Sequence, residues 1–501
     1  MKPLGFHPSA LTLTLILLLV FSAVPPVQAQ TVDVEETIQK VSRAVEEIRG
    51  LSFKQIPPVK LVEREEALEK FNISEWEGWE LAQQEYEALY LVPEGVSAKE
   101  LLEDFYSSAL QGYYDVKKDE IVVVKGAEGS LDKSVLAHEL THALTDQYYP
   151  EIYELDYELT DKDFAVSALV EGDAELVEEL FSKGGYDCEL NLDAAPASVP
   201  LAIIYLQIFP YLEGYNFVRK LREEGGWAAV NQAYVNPPQS TEQIIHPDKY
   251  PWEKPLEVRV KGSGYRDWKP LGEDILGEAS IFMMFWNQGL ARFSLTPWGE
   301  VTYRSPLSEG WGGDHMVVYK KGEGEYGYVW LLAWDTVEDA LEFKEGYEQM
   351  LTILNAKFQD GAWKVGNDYV TVELEGKTVV IVNAPSKFEL DDVRLAGGLP
   401  VIKIEDFRLI EGGIHRRLSA TLKNLTPEDQ ESLIIIQVKD AAGHVQDLYY
   451  VYGSIPAGAR FNIQTPWKAW KGETLYAEIY VWRSFKEPTP LTPPQTLATG
   501  G

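Results

Sequence analysis

Cysteine is almost missing: 501 residues contain one, Cys188. An intrachain disulfide is therefore excluded, and a lone thiol is weak ground for nucleophilic catalysis. Basic residues are also short, 45 against 79 acidic, for a formal charge of −34. That balance argues against nucleic-acid binding, which needs a basic surface, and against docking on anionic lipid. Long apolar runs are absent beyond the N-terminus. The first run, Ala10–Val24, is too short for a comfortable membrane span. Preceded by Lys2 and followed by Val27-Gln28-Ala29, it reads as the core of a signal peptide over residues 1–29. No membrane span is expected after its removal. Export without disulfides points to a secreted or cell-surface prokaryotic protein.

What is present is a globular composition, 45% hydrophobic and 12% aromatic, and one strong motif. His138-Glu139-Leu140-Thr141-His142 is an H-E-x-x-H sequence. Val135, Leu136, Leu140, Ala143 and Leu144 give the apolar stripe of a helix, which Asp132 or Ser134 can cap. On that helix the two imidazoles stack one turn apart, able to close on one tetrahedral zinc at about 2.0–2.1 Å. Glu139 is rotated beside the metal, where it can take the proton of a metal-held water.

A zinc hydrolase site needs a third protein ligand. Glu171, on the next helix and beside apolar Ala168, Leu169 and Val170, is the candidate. Gly172 costs helix stability, about 1 kcal/mol against Ala, and suggests a close approach by another backbone or a ligand. Glu175, one turn on, can hydrogen-bond a ligand histidine from behind. The alternative for Glu175, Glu178 and Glu179 is a solvated acidic face. Upstream, Gly112–Asp115 and Glu120–Lys125 read as a hairpin. Its strand Val122, Val123, Val124 is either an edge that pairs with an extended peptide or an ordinary core strand.

Residues 134–146 resemble the zinc helix of thermolysin-like gluzincins, where H-E-L-T-H is followed by Ala, an apolar residue, Thr and Asp, as in Ala143-Leu144-Thr145-Asp146. The Glu-Gly-Asp-Ala stretch and Pro237-Pro238-Gln239-Ser240-Thr241-Glu242-Gln243-Ile244-Ile245-His246-Pro247 resemble a poorly characterised group of secreted bacterial and archaeal gluzincin-type peptidases. The resemblance implies His138, His142 and Glu171 as ligands of one zinc per chain and Glu139 as general base. It implies a peptide or protein substrate. A histidine downstream of the ligand Glu often serves as oxyanion donor in gluzincins, which makes His246 the candidate here; a structural histidine that binds the loop backbone is the other reading, and Tyr148, Tyr149 and Tyr211 are weaker alternative donors. The thermolysin pattern has Asn-Glu at the third ligand with Asp four residues on, whereas this chain has Val170-Glu171 with Glu175. Calcium sites are not legible.

The expected architecture is α+β. A zincin-like metallopeptidase domain with a helical second lobe would span 30–310 and a small α+β domain 311–385. A C-terminal β-sandwich would span 386–485, offering a surface or glycan contact, and a disordered tail 486–501. The competing function is a cell-surface binding or scaffold protein with a structural or vestigial zinc site.

Overall fold

The computed structural model describes residues 14–17, 34–70, 76–126, 129–154, 159–182, 198–297, 299–412, 415–467 and 474–499. Cys188 lies outside them, as does the expected signal peptide apart from Thr14–Leu17. The chain is mixed α+β with several antiparallel sheets and a β-rich C-terminal region. It divides into two compact units. The first comprises 1–257, 274–314 and 333–346; the second comprises 258–273, 315–332 and 347–501.

The first unit opens with β1 (Thr14–Leu17), α1 (Val34–Arg49), β2 (Val59–Val62), α2 (Arg64–Lys70), α3 (Trp79–Ala88) and α4 (Ala98–Ala109). The hairpin β3 (Leu110–Asp115) and β4 (Glu120–Val124) follows, then α5 (Lys133–Asp146), α6 (Pro150–Glu154) and α7 (Thr160–Ser182). Next come α8 (Leu201–Gln207), α9 (Phe209–Val235) and α10 (Thr241–Ile245). Four strands form one sheet in the order β1-β3-β4-β2. The β3–β4 and β1–β3 pairs are antiparallel, while β2 lies parallel to β4, Val59 opposite Ile121.

That pairing corrects the edge-strand expectation. Val122, Val123 and Val124 belong to an interior strand flanked on both sides, and Val122 and Val123 are fully buried. The reason is β2, whose partner lies far along the chain. Under the sheet, Ile38, Val41 and Val45 of α1 share a core with Leu136, Leu140 and Leu144 of α5.

Between the units' segments run β5 (Lys269–Asp274), α11 (Gly277–Asn287), the short pair β6 (Ser294–Leu295) and β7 (Val301–Thr302), β8 (Trp311–Lys321), β9 (Glu325–Trp334) and α12 (Val337–Ile353). Then come β10 (Lys357–Gln359), β11 (Ala362–Val365), β12 (Asp368–Glu375), β13 (Thr378–Ala384) and α13 (Leu390–Ala396). A seven-stranded sheet has the order β10-β11-β12-β13-β9-β8-β5. The unit boundary departs from the expected one at two places. Residues 258–273 join the second unit because β5 extends its sheet, and 333–346 join the first, where Phe343 packs on Phe285 and Trp334.

The C-terminal strands are β14 (Ile402–Gly412), β15 (His415–Asn424), β16 (Gln430–Lys439), β17 (Val445–Ile455), β18 (Arg460–Trp467), β19 (Leu475–Trp482) and β20 (Gln495–Thr499). They form two sheets, β14-β15-β18 and β17-β16-β19-β20. Ile404, Leu418 and Leu422 of one share a core with Ile434, Ile436 and Ile479 of the other. The expected disordered tail is in fact structured over this stretch. Leu491 is fully buried in that core, and β20 pairs with β19. Proline removes donors, but an edge strand loses little by that, and one buried leucine anchors the segment.

Candidate metal centre

Asp132 caps α5, its carboxylate accepting from the backbone N–H of Ser134 at 2.9 Å and Val135 at 3.3 Å. From Val135 to Thr145 every residue of α5 is buried. His138, Glu139 and His142 are completely so. Apolar residues cover the sheet side, so the motif's polar side must find its partners inside the protein.

It finds them on α7. Glu171 Oε2 lies 3.2 Å from His138 Nε2 and 3.3 Å from His142 Nε2. Three donors at about 2.0–2.1 Å around a tetrahedral ion stand about 3.3–3.4 Å from one another. The two distances to Glu171 therefore already fit a metal. The histidine rings are 4.7 Å apart at 71°, and one ligand atom from each residue falls within a 4.8 Å group. Glu171 Oε1 is buried with no hydrogen-bond partner, a second sign that a cation suits the site. His138, His142 and Glu171 could thus hold a metal ion together, and their donor types are ones that zinc accepts.

Three carboxylates converge on His138. Behind the ring, Nδ1 is 3.3 Å from Glu178 Oε2 and 3.6 Å from Glu175 Oε1. Glu178, expected on a possible solvated face, is buried and is the nearer partner. Burial works against a charged His138, yet Glu171, Glu178 and Glu175 hold its proton affinity well above the usual range. Metal binding would displace the proton at Nε2 and leave Nδ1–H donating to Glu178. Burial lowers His142, with Glu171 opposing it. For Glu171 itself burial raises the carboxyl, but His142 and His138 outweigh that and bring it below its ordinary value. Glu139 is held well above it, by burial first and by Glu171, against the pull of His138 and the Tyr114 backbone N–H.

The two helices that carry the cluster, α5 and α7, are fixed from outside. Gly172, next to Glu171, meets Gly214 of α9: a Cβ at 172 would sit 2.0 Å from the Gly214 carbonyl carbon. The close approach expected at Gly172 is thus a helix crossing. Two residues after Glu171, Asp173 accepts from Arg49 Nε at 2.9 and 3.0 Å and from the Tyr234 hydroxyl at 2.9 Å. Arg49 ends α1 and stacks 4.4 Å over Trp227. Residues 34–49 are therefore built into the centre.

The structure does not bring His246 to this cluster. No hydrogen bond, ion pair or ring contact joins it to His138, Glu139, His142 or Glu171. Its Nε2 lies 3.0 Å from Glu278 Oε1 and its Nδ1 3.9 Å from Glu309. Ser240 caps α10, and the short helix ends at His246 against α11. Tyr211 of α9 does pack beside the centre. Its ring stacks on His138 at 6.4 Å and 28°. Burial, then Glu171, raise its proton affinity, so the hydroxyl stays a donor. Tyr148 instead donates to Ser52 O at 2.9 Å, and Tyr149 stacks on Tyr234.

A family model described as a domain of unknown function (DUF8575) matches residues 268–394, which contain none of His138, Glu139, His142, Glu171, Glu175 and Glu178. No curated protein matches. Among solved structures, a β-glucuronidase of glycoside hydrolase family 2 is similar at 11% identity over 26% of this chain, with a TM-score of 0.18; the chain spans 18% of its length. A Chloroflexus aurantiacus protein described as a hydrolase with a novel fold is similar at 16% identity, over 45% of this chain and 90% of its own, with a TM-score of 0.26. Likeness at this level carries no argument about fold or function. Among the described residues, no helix is long and apolar enough to cross a membrane.

Proposed function

We propose that the chain is a secreted zinc metallopeptidase of gluzincin type, with a zincin-like fold around α5 and α7 and an accessory C-terminal β-sandwich. The observation that carries the reading is the placement of Glu171 Oε2 at tetrahedral edge length from both His138 and His142, with Glu139 beside the histidines on α5.

Zinc, when bound by those three residues, would polarise a water and a scissile carbonyl. Glu139 then acts as the base: it accepts the water's proton and passes it to the leaving amine. Its raised proton affinity suits a group that must hold a proton between the two steps. Glu178 and Glu175 orient His138, and Tyr211 donates to the oxyanion, the role expected of His246.

The test is hydrolysis of unfolded casein by the full chain, with and without zinc, beside Glu139→Gln. Zinc-dependent cleavage is expected, with a loss of at least about a hundredfold in the variant while one zinc per chain is retained. A folded, zinc-loaded wild type that cleaves neither casein nor a varied peptide set would overturn the peptidase reading and leave the metal structural.

A further inference from the structure

The first unit holds a cavity apart from the metal cluster. Its wall is aromatic and acidic, with rings from Trp76, Trp79, Tyr86 and Phe164 and carboxyls from Glu85 and Asp163. Among the described residues, no Lys, Arg or His lines it. About 70 Å³ is open to the centre of a water molecule, several times the roughly 10–15 Å³ that one buried water needs.

The wall is built in, not incidental. The Trp76 indole lies across Gly78, where a Cβ would fall 2.1 Å from the ring. Trp76 and Trp79 meet edge to face at 4.9 Å. The Tyr106 hydroxyl donates to Gln207 at 2.6 Å, and Gln207 donates to the Tyr86 hydroxyl at 3.0 Å, fixing that side.

Glu85 is the telling residue. It is buried and shares a hydrogen bond with Asp274. Asp274 already accepts from Thr160 N, Thr160 Oγ1 and Ile275 N, so Asp274 is the ionised partner and Glu85 holds the shared proton. Glu85 Oε1 has no hydrogen-bond partner.

We propose that this cavity binds an organic cation: an ammonium or guanidinium group on an alkyl stem. Ring faces attract such a group, and carboxyls bond it directly. Beside a neutral guest Glu85 keeps its proton, whereas a cation in that place lets the carboxyl ionise and pair with it. A bare metal ion would want oxygen ligands, not indole walls. The cation comes from a free alkylamine or from a basic side chain of a bound peptide. Asp163 and Glu171 share α7, about 12 Å apart along its axis.

Calorimetric titration of the full chain with n-butylammonium, n-butylguanidinium and the uncharged n-pentanol tests this without requiring hydrolysis. Cations are expected to bind at least tenfold tighter than the alcohol. Glu85→Gln keeps a donor toward Asp274, so the fold should hold, but it cannot ionise; a loss of about tenfold in cation affinity is expected. If that variant fails to fold, the wild-type comparison of cation with alcohol decides. Equal binding of alcohol and cation, or no cation binding at all, overturns the proposal. A blocked Ala-Arg-Ala peptide binding tenfold tighter than butylguanidinium supports the site and assigns it to peptide side chains; equal binding supports it and assigns it to free amines. Cation binding by a zinc-loaded chain that cleaves neither casein nor the varied peptide set would sink the peptidase reading alone.

Discussion

Replacing Glu178 by Gln separates a carboxylate that orients a ligand from one that decorates a surface. The variant keeps size and loses the charge facing His138 Nδ1. Zinc affinity is expected to fall about ten- to a hundredfold, read by competition with a chelator, and Glu175→Gln, at the longer contact, should cost less. Equal affinities in wild type and both variants would reduce the pair to ordinary buried acids. At this scale the sequence carried much of the site. The four-residue histidine spacing and the apolar neighbours of Glu171 each have a direct geometric meaning. Glu178 was not legible, because an acidic run at helical spacing looks the same whether it faces water or a partner helix. His246 misled for a related reason: a histidine's value as a donor depends on which carboxylate it meets, and Glu278 lies on another helix.

Gly172→Ala tests the next scale. The added methyl meets backbone, not a side chain that could swing away, and Gly214 has the reciprocal constraint, with Ala168 O at 2.1 Å from its virtual Cβ. Against a helix-propensity gain of about 1 kcal/mol, a steric loss of about 3 kcal/mol or more is expected, measured as a lower urea midpoint. An unchanged or raised midpoint would mean that α7 and α9 separate freely. Helices and hairpins were largely readable from caps and periodicity: Ser97 accepts from Glu100 N, as its capping pattern implies. Pairings between distant elements were not. Neither the parallel partnership of β2 with β4 nor the ion pair of Arg49 with Asp173 leaves a local signal, since each partner is a common residue in a common context.

For the whole molecule, pH is the useful handle. In the second unit Asp391 sits beneath Gln430 and Thr426, and burial pushes its carboxyl up to about 6, against the pull of Gln430, Arg483 and Arg394. The folded value lies above the unfolded one, so the contribution is fully present below about pH 4 and lost as pH rises through about 6. Relative to wild type, Asp391→Asn is expected to gain up to about 3 kcal/mol between pH 4 and pH 7, seen in denaturant unfolding at both pH values. A constant difference across that range would refute the assignment. Domain boundaries were the least legible feature, because β5 and the start of α12 each pack with residues remote in sequence. Composition could not reveal that a proline-rich tail is held by Leu491. The parallel ladder has a further consequence. Everything from Arg64 to Gln111, including the α3 and α4 walls of the aromatic cavity, lies between two strands that hydrogen-bond each other. A protease nick in that stretch would leave β2 and Arg49 on one fragment and β4 and Asp173 on the other. The two pieces should still migrate as one particle under native conditions and part only in denaturant.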